Sequence, residues 1–214
     1  MAGETQNFSA QGYTANGSPI EGLTYTWSVE GAVGQVVPEI AKETTLYGTT
    51  TAGLSGSITV SSNGMGTDAL VYITHNVASS LQITPEYATL TAGGTLTYFS
   101  QGYDLYGNSF DLTFLVTFTA LSGGSFTDNI FSGYYAGVHN VEASYNSLKD
   151  TGTITITPAA PFSMEKVSGD NQTQTATTTL ASPFVVKVKD CYGNPVDSVA
   201  VNWGITVAPD LASG

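Results

Sequence analysis

The feature that most restricts the fold of this chain is a repeat that runs along it without a gap. Ala2-Gly3-Glu4-Thr5 leads into Gln11-Gly12-Tyr13, and Ala92-Gly93-Gly94-Thr95 leads into Gln101-Gly102-Tyr103, an offset of 90 residues throughout. At that offset the turn Ala15-Asn16-Gly17-Ser18 falls on Leu105-Tyr106-Gly107-Asn108. Asp104-Leu105-Tyr106-Gly107-Asn108 then recurs as Asp190-Cys191-Tyr192-Gly193-Asn194, 86 residues on, and Trp27 maps to Thr117 and then to Trp203. The closing halves match too. Ala52-Gly53 parallels Ala136-Gly137, and the alternating run 69–74 parallels 152–157. Self-similarity at a fixed period marks one supersecondary unit copied in tandem.

Within a unit the pattern is that of strands. Alternation of apolar and polar residues predicts strands at 80–84, 95–103, 115–119, 137–145 and 152–157 in the middle copy, with shorter ones at 123–127 and 132–135. Gly and Asn punctuate them, as turns with positive φ require. Pro38 to Leu46 is the nearest approach to a helical pattern, one or two turns at best. A unit of about 80 to 90 residues is close to the ~100 of an immunoglobulin-like sandwich. The reading is therefore all-β, with tandem immunoglobulin-like β-sandwich domains built from antiparallel Greek-key sheets. Residues 1–76 form a sandwich lacking its first strand, 77–158 a complete one, and 159–214 the N-terminal half of a third. The third copy stops just after its central strand, 199–207. Its unpaired edges either stay poorly ordered or pair with another element, such as the first unit of a neighbouring molecule. Trp27 and Trp203, sharing one register, are expected in cores.

Composition narrows the function. Seventeen acidic and five basic side chains give a net charge of −12, which repels polyanions and argues against nucleic acid as a partner. Such a charge serves solubility first, with binding of divalent cations as the sharper reading. Charged residues are only 10%, against roughly 25% in ordinary soluble domains, and Thr, Ser, Gly, Asn and Tyr carry the polarity. One cysteine, Cys191, excludes an intramolecular disulfide. No apolar stretch reaches the ~18 residues of a membrane-spanning helix, so no membrane insertion is expected. The start Met1-Ala2-Gly3-Glu4 lacks the basic and apolar regions of a signal peptide, and the chain reads as a piece of something longer.

The run Asp190-Cys191-Tyr192-Gly193-Asn194-Pro195-Val196, followed by Val199-Ala200-Val201-Asn202-Trp203, resembles the bacterial immunoglobulin-like domains of the invasin and intimin type. In that family a strand ends in such a turn and the next carries an inward Trp. Asp104 to Asn108 is a second match; Thr14 to Ile20 with Trp27 is a looser one that lacks the Asp. The resemblance implies tandem sandwiches of a prokaryotic adhesin, S-layer or cell-wall protein, extracellular and in contact with neighbouring modules or subunits. It does not by itself imply a binding site.

Residues suited to chemistry are sparse along the chain. His75 and His139 occupy non-equivalent positions and no Gly-x-Ser-x-Gly elbow accompanies them, so no enzyme is expected. Asp104 and Asp111 flank one turn, where a backbone-capping role competes with paired-carboxylate chemistry. Asp104, Asn108 and Asp111, or Asp190, Asn194 and Asp197, offer oxygens to calcium, the one cofactor worth considering. Lys42, Lys149, Lys166, Lys187 and Lys189 are irregularly placed, against an internal isopeptide bond. Tyr103, Tyr106, Tyr134 and Tyr135 are the aromatic candidates for stacking on a glycan, although strands also recruit Tyr to fill half-buried surface. Two readings stay open: a structural or adhesive spacer, and a module that binds a glycan or a host surface protein through its loops or an aromatic sheet face.

Overall fold

The computed structural model describes residues 1–175 and 177–204, and every regular element among them is a strand. The first repeat supplies β1 (Thr5–Ser9), β2 (Gly12–Tyr13), β3 (Pro19–Ile20), β4 (Thr26–Glu30), β5 (Gly34–Val37), β6 (Glu43–Gly48), β7 (Ser55–Ser62) and β8 (Met65–Tyr72). The second supplies β9 (Ser80–Thr84), β10 (Tyr87–Thr91), β11 (Thr95–Thr97), β12 (Phe99–Tyr103) and β13 (Ser109–Asp111). It continues through β14 (Thr117–Ala120), β15 (Gly124–Thr127), β16 (Ile130–Gly133), β17 (Gly137–Tyr145) and β18 (Leu148–Thr157). In the third, β19 (Ser163–Ser168) pairs with β20 (Val185–Lys189).

In the first repeat, sheet β1-β6-β5 and sheet β4-β7-β8 join through one core of Trp27, Val36, Leu46 and Ile58, which come from strands of both sheets. The second repeat reproduces this order in β11-β16-β15 and β10-β18-β17-β14, and adds β9 on the edge of the β12-β13 hairpin. Strand β10 lies parallel to β18, with Tyr87 opposite Thr153 and Thr91 opposite Thr157; the other pairings with described registers are antiparallel. Strands that switch sheets between β4 and β5, and again between β6 and β7, give the Greek-key connectivity of an immunoglobulin-like sandwich. The fold is all-β with tandem sandwiches of this type.

The alternation that predicted these strands is also what buries them. In β18, Ile154 and Ile156 point inward while Thr153 and Thr155 are only half-covered. Asn63 and Gly64, both with positive φ, turn β7 into β8, which is the chemistry of a two-residue hairpin. The second core is aromatic. Tyr98 packs edge-on against Phe126 and Phe131, at 5.6 and 6.5 Å, and Phe118 stacks on Phe126 at 5.4 Å.

Several local expectations differ from the structure. Pro38 to Lys42 bend around an isolated bridge at Ile40, and Glu43 to Leu46 lie in β6, where Thr44 and Leu46 alternate inward, so the segment nearest to a helical pattern holds no helical turn. The central strand of the second repeat starts at Thr117 and not Leu115; Leu112 to Val116 form a tight turn, closed by the bonds from the Leu115 and Val116 amides to the Leu112 carbonyl. The inward side chain there is Phe118, one residue beyond the Thr117 that aligns with Trp27. Trp203 is 62% exposed and touches Phe184 at 6.0 Å. Trp27 is covered by Leu46 and Ile58 from β6 and β7, and those strands have no counterpart around Trp203 among the described residues. The predicted central strand 199–207 does not form over 199–204, and its remainder lies outside the described residues.

By contacts the described chain gathers into two compact units that interleave in sequence. One holds Met1–Ile83, Phe99–Thr117 and Ala143–Asp150; the other holds Thr84–Tyr98, Phe118–Glu142 and the residues from Thr151 onward.

Phe131 is fully buried, so Phe131→Ala is expected to cost about 3–5 kcal/mol, read as a lowered denaturant midpoint. The buried Tyr98 hydroxyl has no hydrogen-bond partner among the described residues. Tyr98→Phe removes an unsatisfied polar atom and should leave the midpoint unchanged or raise it; a clear drop would refute that reading.

Candidate functional site: the Asp-x-Tyr-Gly-Asn turns

The turn at Asp104 begins as an ordinary local motif. The Gly107 amide donates to the Asp104 carbonyl at 3.0 Å and the Asp104 amide to the Asn108 carbonyl at 3.1 Å. Gly107 takes φ of +83°, a value that Gly adopts without steric cost. Asp104 Oδ1 accepts the amides of Tyr106 and Asn108, each at 2.9 Å. Up to this point it is an Asp-capped turn of the kind such side chains favour.

The other carboxylate oxygen reaches further. Asp104 Oδ2 accepts the Asn108 side-chain amide at 2.9 Å and the backbone amide of Asn76, also at 2.9 Å. The carboxylate thus takes four N–H donors, the number of lone-pair sites it has. It is 3% exposed. Burial pushes its pKa up, but the bonds from Asn108, Asn76 and Tyr106 outweigh that effect and lower it from 3.8 to about 2. The same bonds orient Asn108, whose Oδ1 accepts the Ala52 amide at 2.9 Å and whose Nδ2 donates to the Thr50 carbonyl at 2.8 Å. Residues of the second repeat therefore hold a loop of the first.

The arrangement at Asp190 is the same, atom for atom. Asp190 Oδ1 accepts the amides of Tyr192 and Asn194 at 2.9 and 2.8 Å, and Oδ2 accepts Asn194 Nδ2 and the Ala159 amide at 2.8 and 2.9 Å. Asn194 Oδ1 accepts the Ala136 amide and its Nδ2 donates to the Tyr134 carbonyl, both at 2.8 Å. Burial again opposes and hydrogen bonding again lowers the Asp190 pKa. Each copy of the turn lies, with all of its partners, inside one compact unit.

The tyrosine of each turn seats on a glycine of the preceding repeat. A Cβ on Gly3 would overlap the Tyr106 hydroxyl, and a Cβ on Gly93 would overlap that of Tyr192. Both glycines also have positive φ, +69° and +88°, so two independent constraints select glycine at these places. Tyr134 adds a ring contact to Tyr192 at 5.8 Å. The first copy of the turn is different. Thr14 replaces the Asp, and its hydroxyl bonds only within the turn, to Ser18 and Asn16.

The predicted site residues divide accordingly. Asp104 with Asn108, and Asp190 with Asn194, are brought together. Asp111 is exposed on β13, where its Oδ1 accepts the Thr113 amide at 2.8 Å, and Asp197 is exposed beyond its turn. No group of three His, Cys, Asp or Glu side chains among the described residues is placed to hold a metal. Among the tyrosines, Tyr106 and Tyr134 pack into the turn contacts just described. Tyr103 points its hydroxyl at Gln82 and Gln101, at 2.9 and 3.1 Å, and Tyr135 is 62% exposed. His75 stacks on Phe110 at 3.5 Å. His139 Nε2 lies 2.7 Å from the Tyr135 carbonyl and must carry its proton there, which leaves Nδ1 to accept the Ser122 hydroxyl at 2.9 Å. What sequence reasoning missed is the reach of Asn108 and Asn194, whose recurrence was visible but whose partners lie 56 to 60 residues away.

No family model matches the sequence, and no curated protein matches it. Among solved structures the chain is similar to FdeC, an Escherichia coli adhesin, with a TM-score of 0.60 and 19% identity over 92% of this chain and 72% of that one. It is also similar to domains 4–9 of the surface layer protein SbsC, with a TM-score of 0.36 and 14% identity over 88% of this chain. The chain spans about a third of that SbsC fragment, 32%. The likeness to FdeC is one of fold.

Because the Asp104 pKa is lowered on folding, its carboxylate stabilises the fold above pH 3.8, and that contribution is lost as pH falls towards 2. Asp104→Asn substitutes an NH₂ donor for one acceptor and so faces N–H groups with N–H. It is expected to lower the melting temperature at neutral pH by several degrees, and the gap to the parent should close as pH falls through that window. A gap independent of pH would sink the assignment.

Proposed function

We propose that the chain is a structural module of a cell-surface or secreted protein, a spacer of the kind found in invasin- and intimin-type stalks, in which each repeat fastens itself to the one before. The observation that carries this reading is the duplicated turn. The same Asp carboxylate, the same Asn amide and the same Tyr-on-Gly seat occur twice, and both times they bind the preceding repeat and not an outside ligand. A site kept for a ligand would leave acceptors or aromatic faces open, whereas in these turns the polar atoms are satisfied within the chain. The fold shared with an adhesin supports the same class, and extracellular localisation goes with it.

A spacer fastened in this way has no need of calcium. All four lone-pair directions of each turn carboxylate meet N–H donors, so a cation would have to displace hydrogen bonds already made. Thermal unfolding in excess calcium and in excess EDTA should therefore coincide. A melting temperature several degrees higher in calcium would overturn the proposal and make the turns metal-stiffened junctions.

A further inference from the structure

The two fastening turns are built alike, but the loops they hold differ. Asn108 donates to the Thr50 carbonyl and accepts the Ala52 amide, and Asn194 donates to the Tyr134 carbonyl and accepts the Ala136 amide. Thr50-Thr51-Ala52 and Tyr134-Tyr135-Ala136 therefore occupy the same place. Thr50, Thr51 and Tyr106 are exposed at the first turn, and Tyr134, Tyr135 and Tyr192 at the second. The repeat that carries the first turn has its full set of strands, β9 to β18, so this exposure belongs to the place itself and not to a strand missing around it. Fastening uses only backbone atoms of these loop residues, which threonine supplies as well as tyrosine. The link does not account for two large rings at the second turn.

The backbone under these tyrosines is also held from its other side. The Tyr134 and Tyr135 amides both donate to the Gly123 carbonyl, at 2.8 and 3.0 Å. The Tyr135 carbonyl accepts His139 Nε2–H at 2.7 Å, and the imidazole lies so close to Gly123 that a Cβ there would overlap it. Where Ala52-Gly53 aligns with Ala136-Gly137, Ser55 stands opposite His139, so the first repeat has no ring to make this contact. Tyr134 rests against Tyr192 at 5.8 Å. All of these residues lie within one compact unit. They make a small aromatic surface on a fixed backbone, and a surface ordered in advance loses less entropy when it binds.

We propose that Tyr134, Tyr135 and the exposed part of Tyr192 form a platform for a neutral carbohydrate, with a pyranose ring stacked on Tyr135. A tyrosine offers an apolar face and a polar tip, which matches a sugar whose C–H face is edged with hydroxyls. Residues 133–139 include no Asp, Glu, Lys or Arg, and the neighbouring Asp190 has its lone pairs met by N–H donors. Nothing in that stretch would neutralise an anionic sugar, and a net charge of −12 would repel one. A stacked ring need not be enclosed, so a shallow surface suffices. The platform lies beside the link and uses none of its Asp and Asn atoms. It goes beyond the spacer reading and leaves it unchanged.

The test is calorimetric titration of the whole 214-residue chain with hexasaccharides of glucose, mannose, galactose and N-acetylglucosamine, and with hexagalacturonate as the anionic control. At least one neutral sugar is expected to bind. Tyr135→Thr, which gives this turn the residue that the first already carries as Thr51, should weaken that binding by about tenfold or more. Tyr135→Phe keeps the ring and should keep the binding. Both variants should melt with the parent, since Tyr135 is 62% exposed. No binding of any neutral sugar at about 10 mM, well beyond a dissociation constant of about 1 mM, would overturn the proposal. So would equal binding by Tyr135→Thr, a loss in Tyr135→Phe as large as in Tyr135→Thr, or binding of hexagalacturonate alone. Binding of decaproline in place of the sugars would give the surface to a protein partner and overturn the carbohydrate assignment.

Discussion

A carboxylate removed from water is costly unless its lone pairs are met, and Asp104 and Asp190 meet that condition by organising their surroundings. Two of the four donors come from the turn itself, which fixes its shape. A third is the amide of the Asn four residues on, which fixes the orientation of that side chain. The fourth is a backbone amide just past the end of the preceding repeat, Asn76 or Ala159. Once the Asn amide is oriented, its oxygen accepts the amide of Ala52 or Ala136, and its second N–H donates to the carbonyl of Thr50 or Tyr134. Hydrogen bonds to an ionised acceptor are about twice as strong as neutral ones, so the charge is what makes the rest of the arrangement rigid.

The first copy illustrates the dependence by lacking it. A threonine hydroxyl is one donor and two acceptor sites on a single atom, and Thr14 uses them on Ser18 and Asn16. It closes the turn locally, and Ser18 stands where the second copy has Asn108, with no side-chain amide to be oriented. The surrounding strands, the β2–β3 hairpin and its register, are nevertheless the same as in the second repeat. Cores centred on Trp27 or on Tyr98 and Phe131 hold the sheets, and the Asp104 and Asp190 carboxylates hold the turns to the loops they meet.

Much of this was legible in the residues. The 90-residue offset aligned the β2–β3 and β12–β13 hairpins, which pair at the same register, and period-two alternation placed β9, β12, β17 and most of β18 at or within a few residues of their ends. The Asp-to-Asn turns stood out because they recur, and the backbone-capping role of Asp104 followed from the ordinary behaviour of Asp in turns. The partners of Asn108 and Asn194 were not legible, because they are backbone atoms: Ala52-Gly53 and Ala136-Gly137 stood out as parallel, but nothing in the sequence marks their amides, or the Thr50 and Tyr134 carbonyls, as the groups these side chains meet. Tyr106 and Tyr134 were weighed between glycan stacking and a half-buried structural role; Tyr106 sets its hydroxyl on Gly3 and Tyr134 packs on Tyr192, contacts that sequence alone does not show, while both rings stay partly exposed. The exposure of Trp203 was missed for a similar reason. Register places a side chain on a face, but burial depends on the strands that cover that face.

The seat of Tyr192 on Gly93, and of Tyr106 on Gly3, gives the chain a polarity. The second repeat carries both parts, the socket Gly93 and the plug Tyr106 of its Asp-x-Tyr-Gly-Asn turn; Tyr106 fits Gly3 of the repeat before, and Tyr192 of the repeat after fits Gly93. Such head-to-tail matching does not close on itself. Each link thus depends on two residues about one period apart: a Cβ on the socket glycine would overlap the hydroxyl of the plug tyrosine, so the pair is matched in shape as well as in position.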